Sequence, residues 1–110
     1  MQLYEVEVTC PDKESAREIA RACLQARLIA CANLLPKVES LFWWQGQIDS
    51  ESEVLLRMKT PAANFAAVCS KIGASHPFEL PAIIALPAQG MGPGVADWVA
   101  EETQAAKICD

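Results

Sequence analysis

An α+β fold of order β-α-β-β-α-β, closed by one further helix, is predicted by three features of the sequence. Leu3 to Val8 and Val54 to Met58 alternate apolar and polar residues with the period of a strand. Two segments, one after Asp12 and one after Thr60-Pro61, carry apolar residues at helical spacing behind a capping residue. Short apolar runs supply the remaining strands, and the order is that of a ferredoxin-like, or split β-α-β, sandwich over residues 1–110 as a single domain.

The first strand sets Leu3, Val6 and Val8 against Glu5 and Glu7 and stops at Cys10-Pro11. Asp12 is a natural N-cap, because its carboxylate can accept from an amide of the first turn. Ala16, Ile19, Ala20, Cys23 and Leu24 then form one face, with Arg17, Glu18, Arg21 and Gln25 on the other, to an end near Arg27. The apolar stretch LIACANLLP, residues 28–36, leads into a second strand that holds both Trp43 and Trp44.

Residues Gln45 to Glu53 are polar and acidic with one Gly, and read as the connection of a long hairpin to a third strand at Val54–Met58. Thr60 and Pro61 make a helix start, followed by Phe65, Val68, Cys69 and Ile72 at i, i+3, i+4 and i+7 up to Gly73. SHPFELP is a loop pinned by Pro77 and Pro81, and Ala82 to Leu86 reads as a short buried strand. A loop with Gly90, Gly92 and Gly94 precedes a last helix marked by Val95, Trp98 and Val99.

Composition narrows the function classes. A chain of 110 residues that is 52% hydrophobic has enough apolar material for one core. Nine basic against fourteen acidic residues leave a net charge of -5, which disfavours nucleic acid and anionic lipid as partners. The N-terminus lacks the pattern of a secretory signal and no apolar run approaches the ~20 residues of a membrane crossing, so a soluble, cytoplasmic protein is expected. Cys10, Cys23, Cys31, Cys69 and Cys109 form an odd set without a C-x-x-C pair, so reduced thiols are expected.

Trp43 and Trp44 raise a physical problem, because neighbouring side chains on a strand point to opposite faces. Leu41 and Trp43 line one face of the strand, Phe42 and Trp44 the other. In a sheet covered by helices on one side only, one indole faces outward unless it lies beneath the closing helix or against another chain. A large apolar patch points to the second arrangement, self-association.

Groups able to carry chemistry are few. His76 is the one histidine, and no Ser stands in a nucleophile-elbow sequence, so hydrolase chemistry has no support. Thiolate and imidazole together suit copper or zinc, which makes Cys10 and His76 the candidate metal ligands. Two ligands do not close a site; water, Glu79 or a neighbouring subunit is needed as well. On the residues alone, an inert thiol and a loop histidine remain the plainer reading. The glycines before the last helix do not match a G-x-G-x-x-G turn and read as a connector. Glu53, Arg57 and Lys59 share a face of the third strand, either as a solvated row or as the lining of a polar pocket between subunits.

The run SLFWWQGQIDSESEVLLRMKT, with Ser40, Phe42, Trp44, Gly46, Glu53, Lys59 and Thr60, resembles the divalent-cation tolerance (CutA-type) family. ACAN at 30–33, HPFELP at 76–81 and the helix with Trp98 match in order and spacing, so the resemblance spans nearly the whole chain. It implies a non-enzymatic homotrimer of ferredoxin-like subunits, with hairpins pairing across subunits and copper bound through Cys10 and His76. Ser75 stands where some relatives have a second His, which implies weak binding; Phe78 and Ala82 replace a frequent Tyr and Glu. The alternative is a trimeric small-molecule sensor or partner-docking protein similar to PII-type signal proteins, with Trp44, Glu53 and Lys59 at a subunit boundary. An acylphosphatase-type enzyme is disfavoured, because no basic, glycine-rich loop follows the first strand.

Overall fold

The computed structural model describes residues 1–104 and contains a four-stranded antiparallel sheet and three α-helices. Strands β1 (Leu3–Cys10), β2 (Cys31–Trp44), β3 (Gln47–Pro61) and β4 (Ile84–Pro87) lie in the order β2-β3-β1-β4. Helices α1 (Lys13–Gln25) and α2 (Phe65–Ser75) make the two crossovers, and α3 (Val95–Glu102) comes after the last strand. This is the expected ferredoxin-like arrangement. Cys109 lies outside the described residues.

Alternation along the central strands builds the core. Val6, Val8 and Cys10 of β1 pair with Met58, Leu56 and Val54 of β3, and all six are buried on the helix side of the sheet. Ile19 and Cys23 of α1 and Val68 and Ile72 of α2 close over them, each without exposed surface. Burying each of the larger aliphatic chains stabilises the fold by roughly 2 kcal/mol. Asp12 caps α1 as expected, its Oδ1 accepting from the Ser15 amide at 2.7 Å, and that hydrogen bond lowers the carboxyl pKa.

Helix α1 stops at Gln25 rather than near Arg27, and the reason is a Schellman ending. Arg27 takes a φ of 59°, while the amides of Leu28 and Arg27 return to the carbonyls of Cys23 and Leu24. A second departure concerns Thr60-Pro61, which ends β3 instead of starting a helix. The Thr60 hydroxyl is turned inward and donates to the Leu28 carbonyl at 2.7 Å, so it caps nothing; a 3-10 turn over Ala62–Asn64 intervenes before α2. Tertiary hydrogen bonding has overridden a local start signal.

The hairpin is also tighter than its polar sequence suggests. Gln45 and Gly46, at φ 51° and 79°, form a two-residue turn of the type I′ kind, and the acidic segment from Gln47 onward is strand. Between Leu35 and Val38 the register slips by one residue, a bulge at Pro36-Lys37 in which Lys37 has a φ of 61°. Leu35 pairs with Leu55, whereas Val38 pairs with Glu53. The extra residue therefore moves Val38, Ser40, Phe42 and Trp44 onto the face away from the helices, and sends Leu41 and Trp43 to the helix side.

Neither indole is covered by α3. Trp43, 71% exposed, lies opposite Ile48 beyond the helical layer, and Trp44 is 48% exposed on the other face. Strand β4 departs from expectation too, since its Ile84 and Leu86 are half exposed rather than buried. They sit on an edge strand and point to the face opposite α1 and α2.

Candidate functional site

The two candidate ligands sit at one end of the sheet. His76 comes directly after α2, and its Nε2 lies 2.9 Å from the Thr9 carbonyl, next to Cys10 at the end of β1. Its Nδ1 accepts from the Phe78 amide at 3.1 Å. Since Nδ1 is an acceptor, Nε2 carries the proton and donates to Thr9, and both ring nitrogens are engaged. The imidazole also leans on the Phe78 ring, with centroids 4.8 Å apart.

Cys10 faces the other way, into the apolar core, where it is wholly buried. Burial pushes its thiol up to about 11, and the charges of Glu53 and Asp12 add to the effect. As folded, the pair is a protonated thiol and a fully hydrogen-bonded imidazole. A metal ion taking both as donors must expel a proton and break a hydrogen bond. No group of three or more His, Cys, Asp or Glu able to hold a metal is present among the described residues.

A groove of about 690 Å³ opens beside this end, between the hairpin and the connection that leaves α2. Phe42 and Trp44 on alternate positions of β2 form one wall, and Pro77, Phe78, Glu79 and Leu80 form the other. Opposite Ser40 and Phe42 on β3 stand Glu51 and Asp49, with Glu53 deeper in. Glu53 is only 6% exposed, yet it makes no hydrogen bond or ion pair with any described residue.

The expected row of Glu53, Arg57 and Lys59 is thus divided. Arg57 lies 3.3 Å from Glu7 and Lys59 lies 3.7 Å from Glu5, both across the β1–β3 pair, and Lys59 also donates to Asn33 at 3.1 Å. The Arg57 contact is an ion pair without a hydrogen bond, since its Nε is aimed off the carboxylate. Trp44 and Glu53 share the groove; Lys59 does not line it. Sequence reasoning missed the burial of Glu53 and the wall formed by residues 77–80. Proline within a strand is the available signal, because it marks a bulge that rotates the residues beyond it.

A ferredoxin-like α+β domain with a long hairpin and an acidic, aromatic groove defines the class. The chain belongs to the CutA1 divalent ion tolerance protein family, whose model matches residues 4–102. It is 40% identical over 97 residues to protein CutA of Mus musculus, covering 88% of this chain and 55% of that one, so it spans about half the length of that relative. The divalent-cation tolerance protein CutA of Thermus thermophilus is 38% identical over 96 residues, covering 87% of this chain and 93% of that protein. Among solved structures, CutA1 from Oryza sativa superposes with a TM-score of 0.92 at 31% identity, covering 96% of this chain and 97% of that one. The Thermus thermophilus structure gives 0.90 at 36%, covering 93% and 99%.

Proposed function

We propose that the chain is a non-enzymatic, cytoplasmic homotrimer that contributes to divalent-cation tolerance and binds copper, or less readily zinc, weakly through Cys10 and His76. The observation that carries the metal reading is the 2.9 Å bond between His76 and the Thr9 carbonyl, which holds the imidazole beside the strand end bearing Cys10. Copper bound there displaces the Cys10 proton and one hydrogen bond of His76, which keeps the affinity low.

Support for self-association comes from the uncovered sheet. Ile84 and Leu86 lie on the face away from the helices with Leu35, while Leu41, Trp43 and Ile48 stand exposed on the arm. Exposed apolar side chains gathered on two such surfaces favour contacts between chains. Calorimetric titration of copper into wild type and into the Cys10→Ser, His76→Ala double variant tests the metal reading. Weak binding lost in the variant is expected; equal binding by both removes it. Sedimentation tests the trimer, with a single-chain mass at micromolar concentration as the contrary result.

A second reading, a trimeric small-molecule sensor or docking protein of PII type, is favoured by one observation: the groove carries a carboxylate residue, Glu53, that is only 6% exposed and forms no hydrogen bond or ion pair with any described residue. A net charge of -5 supports excluding nucleic acid in either reading.

A further inference from the structure

We infer that the groove between the hairpin and the 77–80 connection is a binding site for a small organic cation bearing N–H groups, a primary ammonium or a guanidinium. The inference deepens the small-molecule reading and rests on that groove; copper chemistry at Cys10 and His76 does not enter it.

Glu53 supplies the first reason. The residue is 6% exposed and lines the groove, and its carboxylate forms no hydrogen bond or ion pair with any described residue, so it keeps only a small contact with water and lacks a partner. Such a group is retained where a ligand restores what burial removed. Ionised carboxylate only accepts hydrogen bonds, so the complementary ligand must donate them, and the strongest donors are positively charged.

The rest of the wall selects the same chemistry. Asp49, Glu51 and Glu79 join Glu53, and no Lys, Arg or His is among the described residues that line the groove. Four carboxylates without a counter-charge give a strongly negative concavity, which raises the local concentration of cations. A simple metal ion is a poorer match, because Phe42, Trp44 and Phe78 contribute ring surface and no donor atoms. Those rings instead favour an organic cation, whose charge they attract through their faces and whose alkyl chain they cover. At about 690 Å³ the space suits a short alkyl chain with a charged head.

The geometry assigns roles within the site. Glu53, at the inner end beside Thr9 and Pro11, receives the charged head; Trp44 and Phe42 cover the stem; Asp49, Glu51 and Glu79 stand around the mouth and draw in a second charge where the ligand has one. Primary and guanidinium heads both satisfy Glu53. A quaternary ammonium lacks N–H groups and meets only the aromatic part of the site.

The test is calorimetric titration of the full chain with agmatine and putrescine, with tetramethylammonium, 1-butanol and butyrate as contrasts. Agmatine or putrescine binding at least tenfold more tightly than every contrast is expected, with a further loss of at least tenfold in Glu53→Gln and severalfold in Trp44→Leu. Circular dichroism and sedimentation accompany each variant; should Glu53→Gln fail to fold, Trp44→Leu and Phe78→Leu carry the comparison. Equal binding of the cations and the neutral or anionic probes, or cation binding unchanged in the variants, overturns the inference while leaving the small-molecule reading standing. No heat from any probe overturns both. A Glu53→Gln protein that folds but changes its oligomeric mass also overturns it, because the carboxylate then serves a contact between copies.

Discussion

His76 Nε2 and the Thr9 carbonyl oxygen are 2.9 Å apart, and this bond decides how the candidate metal site behaves. With Nδ1 already accepting from Phe78, the imidazole has no free lone pair for an ion. Cys10, whose thiol is pushed up to about 11, is not a thiolate at neutral pH either. Copper affinity is therefore expected to rise about tenfold per pH unit between pH 7 and 9, as uptake releases the Cys10 proton. Titration at three pH values checks it, and a flat profile removes Cys10 as a donor.

The same thiols link stability to pH. Cys10 and Cys23 are both raised from 9.0 to about 11 by burial, so they bind protons more tightly folded than unfolded. Their contribution is complete below pH 9 and is lost as pH climbs through 11, roughly 3 kcal/mol per thiol. Urea midpoints measured from pH 8 to 11 are expected to fall more steeply for wild type than for Cys23→Ala. Parallel curves contradict this.

Thr60 offers a cleaner test of a single hydrogen bond. Its buried hydroxyl donates to the Leu28 carbonyl, which also accepts from Asn64 Nδ2 at 3.2 Å. Thr60→Val keeps the shape and leaves that carbonyl one donor, so a loss of about 1 kcal/mol in urea unfolding is expected. A helix cap at Thr60 predicts instead that α2 itself frays, visible as reduced helical circular dichroism.

The hairpin turn makes an opposite prediction for two neighbours. Gln45 holds a φ of 51° that Asn adopts more readily, so Gln45→Asn is expected to stabilise by about 0.5 kcal/mol. Gly46→Ala, at φ 79°, meets open space yet costs about 1 kcal/mol because the backbone conformation disfavours a Cβ. Equal and small effects for both contradict the type I′ geometry.

Self-association is testable on two separate surfaces. Ile84→Lys on the uncovered sheet face and Trp43→Ser on the arm are each expected to lower the oligomeric mass measured by light scattering, without lowering helical content. A mass unchanged in both variants leaves the exposed apolar residues without the role given to them.

Much of this architecture is legible in the sequence because it arises from periodicity. Val6, Val8, Leu56 and Met58 sit where alternation puts them, and Ile19, Cys23, Val68 and Ile72 where helical spacing does. The features that escaped are of another kind. Thr60 looks like a cap until Leu28 is brought to it, a contact between residues 32 apart in sequence. Ala82 to Leu86 reads as buried because its residues are apolar, although an edge position leaves Ile84 and Leu86 half exposed. Glu53 reads as solvated because it is charged, yet it is 6% exposed in a groove whose other wall, residues 77–80, comes from much later in the chain.

The bulge at Pro36-Lys37 gives the arm something akin to a reading frame. Removal of one residue there would swap the outward companies of the whole extension, sending Trp43 and Leu41 into the groove's place and Trp44 and Phe42 behind it, with every amino acid beyond unchanged. A single-codon deletion would thus rewrite what the arm offers to its surroundings more completely than any point mutation along its length.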